Sequence, residues 1–202
     1  DYATFLKLVK PLRDAGMPLH ATLGNHDDRT NFLKAVPEVS KAEKPVADKV
    51  VGVVKAERAR FVLLDSLAIV DKVPGEYGPA QLKWLAKTLD AEPTVPTIIV
   101  GHHNPTETGS PSLTDTLAFL DVVAPRKQVK AYIFGHTHAW KVSQHKTGIH
   151  FVNLPAVAYP FAKGQAIGWT VLTLKPDGAK LELRAADKHA LNGQVHELTW
   201  RS

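Results

Sequence analysis

The 202-residue chain contains no cysteine, which excludes disulfides, thiolate zinc sites and iron–sulfur clusters. It also lacks any apolar run approaching the roughly 20 residues of a membrane-spanning helix, so no membrane partner is expected. Lys and Arg number 25 against 20 Asp and Glu, a net charge of +5, yet they are scattered and form no basic tract. Such a balance argues for electrostatic steering and an ordinary surface rather than a nucleic-acid groove. Repeats, low-complexity tracts and linkers are absent, so residues 1–202 read as one domain, long enough for a substantial core. None of this fixes a compartment, cytoplasmic or exported.

What is present alternates. Residues 2–15 place Phe5, Leu8, Val9 and Leu12 at helical spacing, with Gly16 and Pro18 behind them as a stop. A short apolar, β-like run at 19–23 leads into Gly24, and further β-like runs occupy 50–54 and 60–64. Pro79 suits the first turn of a helix whose Leu82, Leu85 and Leu89 share a face. A buried-type strand at 97–100, a helix over 114–123 and a strand over 131–134 follow. In the last third, residues 149–159, 169–174 and 180–185 read as strands, with a turn at Pro176-Asp177-Gly178.

At three places an apolar run meets a glycine and then side chains able to bind metal: Gly24-Asn25-His26-Asp27, Gly101-His102-His103-Asn104 and Gly135-His136-Thr137-His138. Five of the ten histidines fall there. Strand C-terminal ends in a layered α/β domain meet at one edge, the usual place for a site. In extended backbone, residues i and i+2 point the same way, so His136 and His138 are expected to face one pocket. Imidazole and amide-oxygen donors without sulfur suit Fe, Mn, Zn or Co.

These motifs, in this order, resemble the last three motifs of the calcineurin-like metallophosphoesterases. Leu63-Leu64-Asp65-Ser66 and the segment 77–85 resemble connecting stretches of bacterial members, including the cyclic-nucleotide phosphodiesterase-like group. The resemblance implies a layered α/β/β/α sandwich and hydrolysis of phosphomonoesters or phosphodiesters. It implies Asn25, His102 and His136 as ligands of one metal and His138 as a ligand of a second. His26 takes the place of the general acid, with Asp27 orienting its ring. Two ions roughly 3.5–4 Å apart would bind the phosphate of a small ester substrate, and a metal-bound hydroxide would attack.

The family pattern also begins with Asp-x-His and Gly-Asp, and this chain has no Gly-Asp dipeptide. The chain starts at Asp1, and nothing before residue 19 accommodates those motifs. The expectation is a domain lacking its first strands and carrying the second half of a site. Without the bridging carboxylate, two dications repel each other with little offset, so at most one metal is expected to bind well. Missing strands would leave sheet edges open to self-association. Asp187-Lys188-His189 is the one stand-in for the missing motif, through circular permutation, and short patterns of this kind arise by chance. The alternative function is an inert domain used for binding or assembly.

Among the remaining residues, His103 is balanced between a structural imidazole and a phosphate contact. His20, His145, His150 and His196 read as surface or strand residues, Asp65 as a turn or cap, and Trp140 and Tyr159 as core. Substrate specificity is expected from the variable stretch 29–49.

Overall fold

The computed structural model describes residues 1–40, 45–107 and 112–202. Helix α1 (Tyr2–Asp14) ends as Gly16 anticipates: Gly16 takes φ 76, its N–H donates to the Arg13 carbonyl, and the Met17 N–H donates to that of Leu12. That pair of bonds is the Schellman closure, which needs a residue comfortable in the left-handed region. Short helices α2 (Arg29–Ala35) and α3 (Pro37–Ser40) follow the first glycine motif. Asp28 caps α2 by accepting from the Asn31 N–H at 2.8 Å.

Six strands form the main sheet: β1 (Gly52–Lys55), β2 (Arg60–Leu63), β3 (Thr97–Val100), β4 (Val129–Phe134), β5 (Lys141–Gln144) and β6 (His150–Asn153). Their order is β1-β2-β3-β4-β6-β5, with β2, β3, β4 and β6 mutually parallel. Helix α4 (Gly78–Ala91) joins β2 to β3 and α5 (Thr116–Val123) joins β3 to β4. Both helices cover one face, where Leu82, Leu85, Leu89, Phe119 and Val123 meet Val62, Ile99, Tyr132 and Phe134. Period-two alternation sends Ile98, Ala131, Ile133 and Val152 to the other face. There a second sheet of β7 (Gly168–Lys175), β8 (Gly178–Ala185) and β9 (Val195–Thr199) supplies Leu172, Leu174, Leu181 and Leu198. The expected mixed α/β sandwich is therefore present, and Trp169 and Val171 stay exposed on the outer face of the second sheet.

Two expectations change. Residues 19–23 form no strand and pair with none among the described residues; Leu23 is buried instead against Phe32, Val36, Val50 and Leu67. An apolar run without a neighbouring ladder satisfies burial but not the strand's backbone bonds. The expected strand 149–159 stops at Asn153, two residues before Pro155, which has no N–H to donate.

The consequence for function lies at one edge. Because β2, β3, β4 and β6 run parallel, Asp65, His102, His136 and Leu154 all follow strand ends on the same side.

Candidate metal centre

Three donor atoms from separate parts of the chain converge at that edge. The His102 Nε2 lies 3.1 Å from the Asn25 Oδ1, the His136 Nδ1 lies 3.3 Å from the same oxygen, and the two nitrogens are 3.2 Å apart. Asn25 is 5% exposed, so its oxygen is fixed toward the imidazoles. Gly24 makes the approach feasible: a Cβ there would stand 2.9 Å from the His102 ring.

The triangle fits a metal. Ligands about 2.1 Å from an ion stand about 3.0 Å apart in cis octahedral positions and about 3.4 Å apart in a tetrahedron. The observed edges fall between those values. The donor chemistry agrees, because ligating imidazoles must be neutral. Burial, reinforced by the neighbouring histidines, holds His102 down to about 3. Burial likewise lowers His136, with His138 and His26 adding to the effect.

His103 lies close to this group, its donor within 4.8 Å of those of His102 and His136, but it is committed elsewhere. Its Nδ1 pairs with the Ser66 Oγ at 2.7 Å and the ring is fully buried. Gly75 packs on that ring so tightly that a Cβ would reach 2.1 Å from the Nδ1. Burial holds the imidazole down to about 4. Its Nε2 has no partner among the described residues, although the Val73 carbonyl lies near enough to favour a proton on the ring. The geometry gives His103 a structural role, fastening the segment 66–75 to the strand end that carries His102.

His136 and His138 are not extended: both take positive φ, 67 and 55. They nevertheless line one cavity of about 330 Å³, with His102, Gly135 and residues 154–159. The shared pocket thus comes from a left-handed turn and not from strand alternation. The His138 Nδ1 bonds the Tyr159 carbonyl, and His138 stays outside the triangle, its Nε2 without a partner among the described residues.

The expected Asp27–His26 pairing is replaced by another. The Asp27 carboxylate accepts from the Gly24 N–H at 2.7 Å and the Tyr2 hydroxyl at 2.9 Å, so it shapes the turn. The exposed His26 Nδ1 pairs with Asp71 at 2.8 Å. Asp71 also donates its N–H to the Asn25 carbonyl at 2.7 Å and takes φ 61. Sequence reasoning missed this contact of His26, because Asp71 is a lone carboxylate in Ile69-Val70-Asp71-Lys72 with no motif around it.

Asp65 is more than a cap. It is fully buried and accepts a fork from Arg29, through Nε at 2.6 Å and Nη2 at 3.0 Å, plus the N–H groups of Val50 and Leu67, each at 2.9 Å. Lys49 spans three carbonyls, those of Asp65, Leu67 and Glu76, and burial lowers its pKa. Together they clamp both ends of the loop that presents Asp71. Residues 41–44 of the expected specificity stretch lie outside the described residues. Asp187-Lys188-His189 sits between β8 and β9, where the His189 Nε2 bonds the Gly164 carbonyl at 3.0 Å and not the triangle. Trp140 packs partly buried between the sheets, whereas Tyr159 is 69% exposed rather than core.

A parallel sheet edge that gathers an amide oxygen and two imidazoles defines a layered α/β protein with a candidate metal centre. More specifically, the chain belongs to the calcineurin-like phosphoesterase family, whose sequence profile matches residues 1–140. It is 28% identical over 183 residues to a probable cyclic nucleotide phosphodiesterase of Synechococcus sp., covering 88% of this chain and 68% of that protein. It is also 28% identical over 191 residues to the 3′,5′-cyclic adenosine monophosphate phosphodiesterase CpdA of Pseudomonas aeruginosa, covering 88% of this chain and 65% of that one. The chain therefore spans about two thirds of the length of these relatives. Its fold matches a dimetal phosphatase from Danio rerio with a TM-score of 0.76 at 17% identity, covering 99% of this chain and 78% of the other. Among the described residues no helix is long and apolar enough to cross a membrane.

Proposed function

We propose that this protein hydrolyses phosphodiesters, cyclic nucleotides above all, at a metal held by Asn25, His102 and His136. The donor triangle of 3.1, 3.2 and 3.3 Å carries the reading; the names of the relatives narrow it to phosphodiesters. When bound, a divalent ion supplies Lewis acidity toward the phosphoryl group and an activated water at neutral pH. The chain's own residues do the rest. Asn25 and the two neutral imidazoles fix the ion's place at the strand edge. His26, exposed at the mouth, donates a proton to the departing oxygen. Asp71 holds the His26 ring through Nδ1, which leaves Nε2 to serve the substrate. His138 offers its Nε2 as an outlying donor, so a second ion, where one binds, is held less firmly than the first.

The test is hydrolysis of bis(4-nitrophenyl) phosphate with added Mn²⁺, together with calorimetric Mn²⁺ titration, for the protein and its His136→Ala variant. Saturable binding and turnover, both lost in the variant, support the proposal. Turnover that survives the loss of His136, or an absence of Mn²⁺ binding, refutes it. An inert binding domain would have no reason to hold three donors in register for an ion.

A further inference from the structure

The loop packed against His138, at the rim of the pocket, carries an unusual surface. Residues 154–167 connect β6 to β7, and within five positions Val157, Tyr159 and Phe161 are 73%, 69% and 62% exposed. Exposed apolar clusters beside polar sites mark binding surfaces. The aromatics are also arranged. The Phe161 ring lies parallel to His138, with centroids 3.9 Å apart and planes at 11°. Tyr159 stands edge-on to both rings, at 5.9 Å from His138 and 6.0 Å from Phe161. The Tyr159 carbonyl fixes His138 through Nδ1, which ties the aromatic loop to the pocket.

The rest of the lining limits what can sit there. Beyond the three histidines, the cavity wall is Gly135, Leu154, Pro155, Ala156, Val157, Ala158 and Tyr159. Among the described residues the lining holds no carboxylate to repel a phosphate and no amide side chain to read a base edge. A flat, apolar partner joined to an anionic group matches both ends of this pocket.

We propose that the Phe161 ring, edged by Tyr159, forms a stacking platform for the nucleobase of a nucleotide whose phosphate lies at Asn25, His102 and His136. The proposal rests on the phosphodiesterase reading of that site. Recognition is by the face of the base rather than its edge, so adenine and guanine are held nearly equally. Base–aromatic stacking is worth about 1–3 kcal/mol, or about five- to 140-fold in affinity.

The experiment is calorimetric titration of the Mn²⁺-supplemented protein with adenosine 5′-monophosphate, guanosine 5′-monophosphate and ribose 5-phosphate. The readout is the affinity ratio of each nucleotide to the base-free sugar phosphate, which cancels any change at the phosphate end. The expected ratio is about five-fold or more, similar for both purines. It should collapse toward one in Phe161→Ala, stay low in Phe161→Leu, which keeps bulk against His138, and return in Phe161→Trp. A ratio near one in the unmutated protein, or one that Phe161→Ala leaves intact, overturns the platform while the phosphate site stands. A ratio that follows 4-nitrophenyl phosphate but not the nucleotides reassigns the shelf to aryl leaving groups and also overturns it. Binding of none of these ligands overturns both proposals together.

Discussion

Replacing Asp65 with alanine tests whether the buried clamp holds the molecule together. The carboxylate is fully buried and satisfies four donors: two from the Arg29 fork and the N–H groups of Val50 and Leu67. Truncation leaves the Arg29 guanidinium, whose side chain is only 24% exposed, without its counter-charge. Breaking a buried pair from one side costs about 3–5 kcal/mol, and each stranded amide adds to that unless water reaches it. We therefore expect a loss near the upper part of that range. With a urea slope of about 2 kcal/mol per molar, the unfolding midpoint should fall by about 2 M. Urea titrations followed by tryptophan fluorescence measure this directly. A double-mutant cycle with Arg29→Ala should show strong coupling, because the second mutation removes the orphaned charge. A loss under about 1 kcal/mol, the value of an exposed pair, would refute the argument that this fork organises the loop.

Other outcomes follow from the same structure. Asp71→Asn keeps a hydrogen-bond acceptor for His26 but loses its charge; the pair is solvent-exposed and screened, so about a three- to five-fold slowing is expected. The slowing should appear with phenyl esters and not with 4-nitrophenyl esters, whose leaving group needs no proton; equal slowing of both would show that Asp71 does not act through His26. Gly101→Ala places a Cβ 2.3 Å from the Tyr77 hydroxyl and 2.9 Å from that of Tyr132, so it should cost about 1–3 kcal/mol. An unchanged thermal midpoint would mean the tyrosine pair yields freely. In the metal-free protein, His102 and His103 titrate near 3 and 4 when folded but near about 6.5 when unfolded. The unfolded chain thus binds more protons below that pH, so stability is full above about 6.5 and declines as pH falls through it. Thermal midpoints with chelator from neutral to mildly acid pH check the sign, and a flat profile contradicts it.

Much of this was legible in the sequence because it depends on local spacing. The helical stripe of α4 expresses the period of its own backbone, and the short apolar runs at β3 and β4 mark strands buried on both faces. Two of the three glycine motifs, at Gly101 and Gly135, mark strand ends whose place at a common edge follows from parallel topology. What escaped reading depends on the rest of the fold. Residues 19–23 look like a strand, but a ladder needs a neighbour. His136 and His138 do share a pocket, although left-handed backbone rather than strand alternation brings them there. β5 and β9 are short edge strands, visible only once their partners are placed. Asp71 reaches His26 across 45 residues of chain, and no local signal distinguishes it from a solvated aspartate. Tyr159 reads as core by composition, and only the path of its loop leaves it in the open.

The distance along the chain between the triangle's donors has a consequence for how the protein matures. His102 lies 77 residues, and His136 111 residues, beyond Asn25. The cluster therefore cannot exist until β3 and β4 have both joined the sheet and the Asn25 turn has docked against them. Such long-range closure belongs to the late, slow part of folding. At the proposed site, an emerging chain would capture an ion only after residue 136 has cleared the ribosome. The ion would then be a seal on a finished structure rather than a seed for it, prolonging the native lifetime more than it hastens assembly.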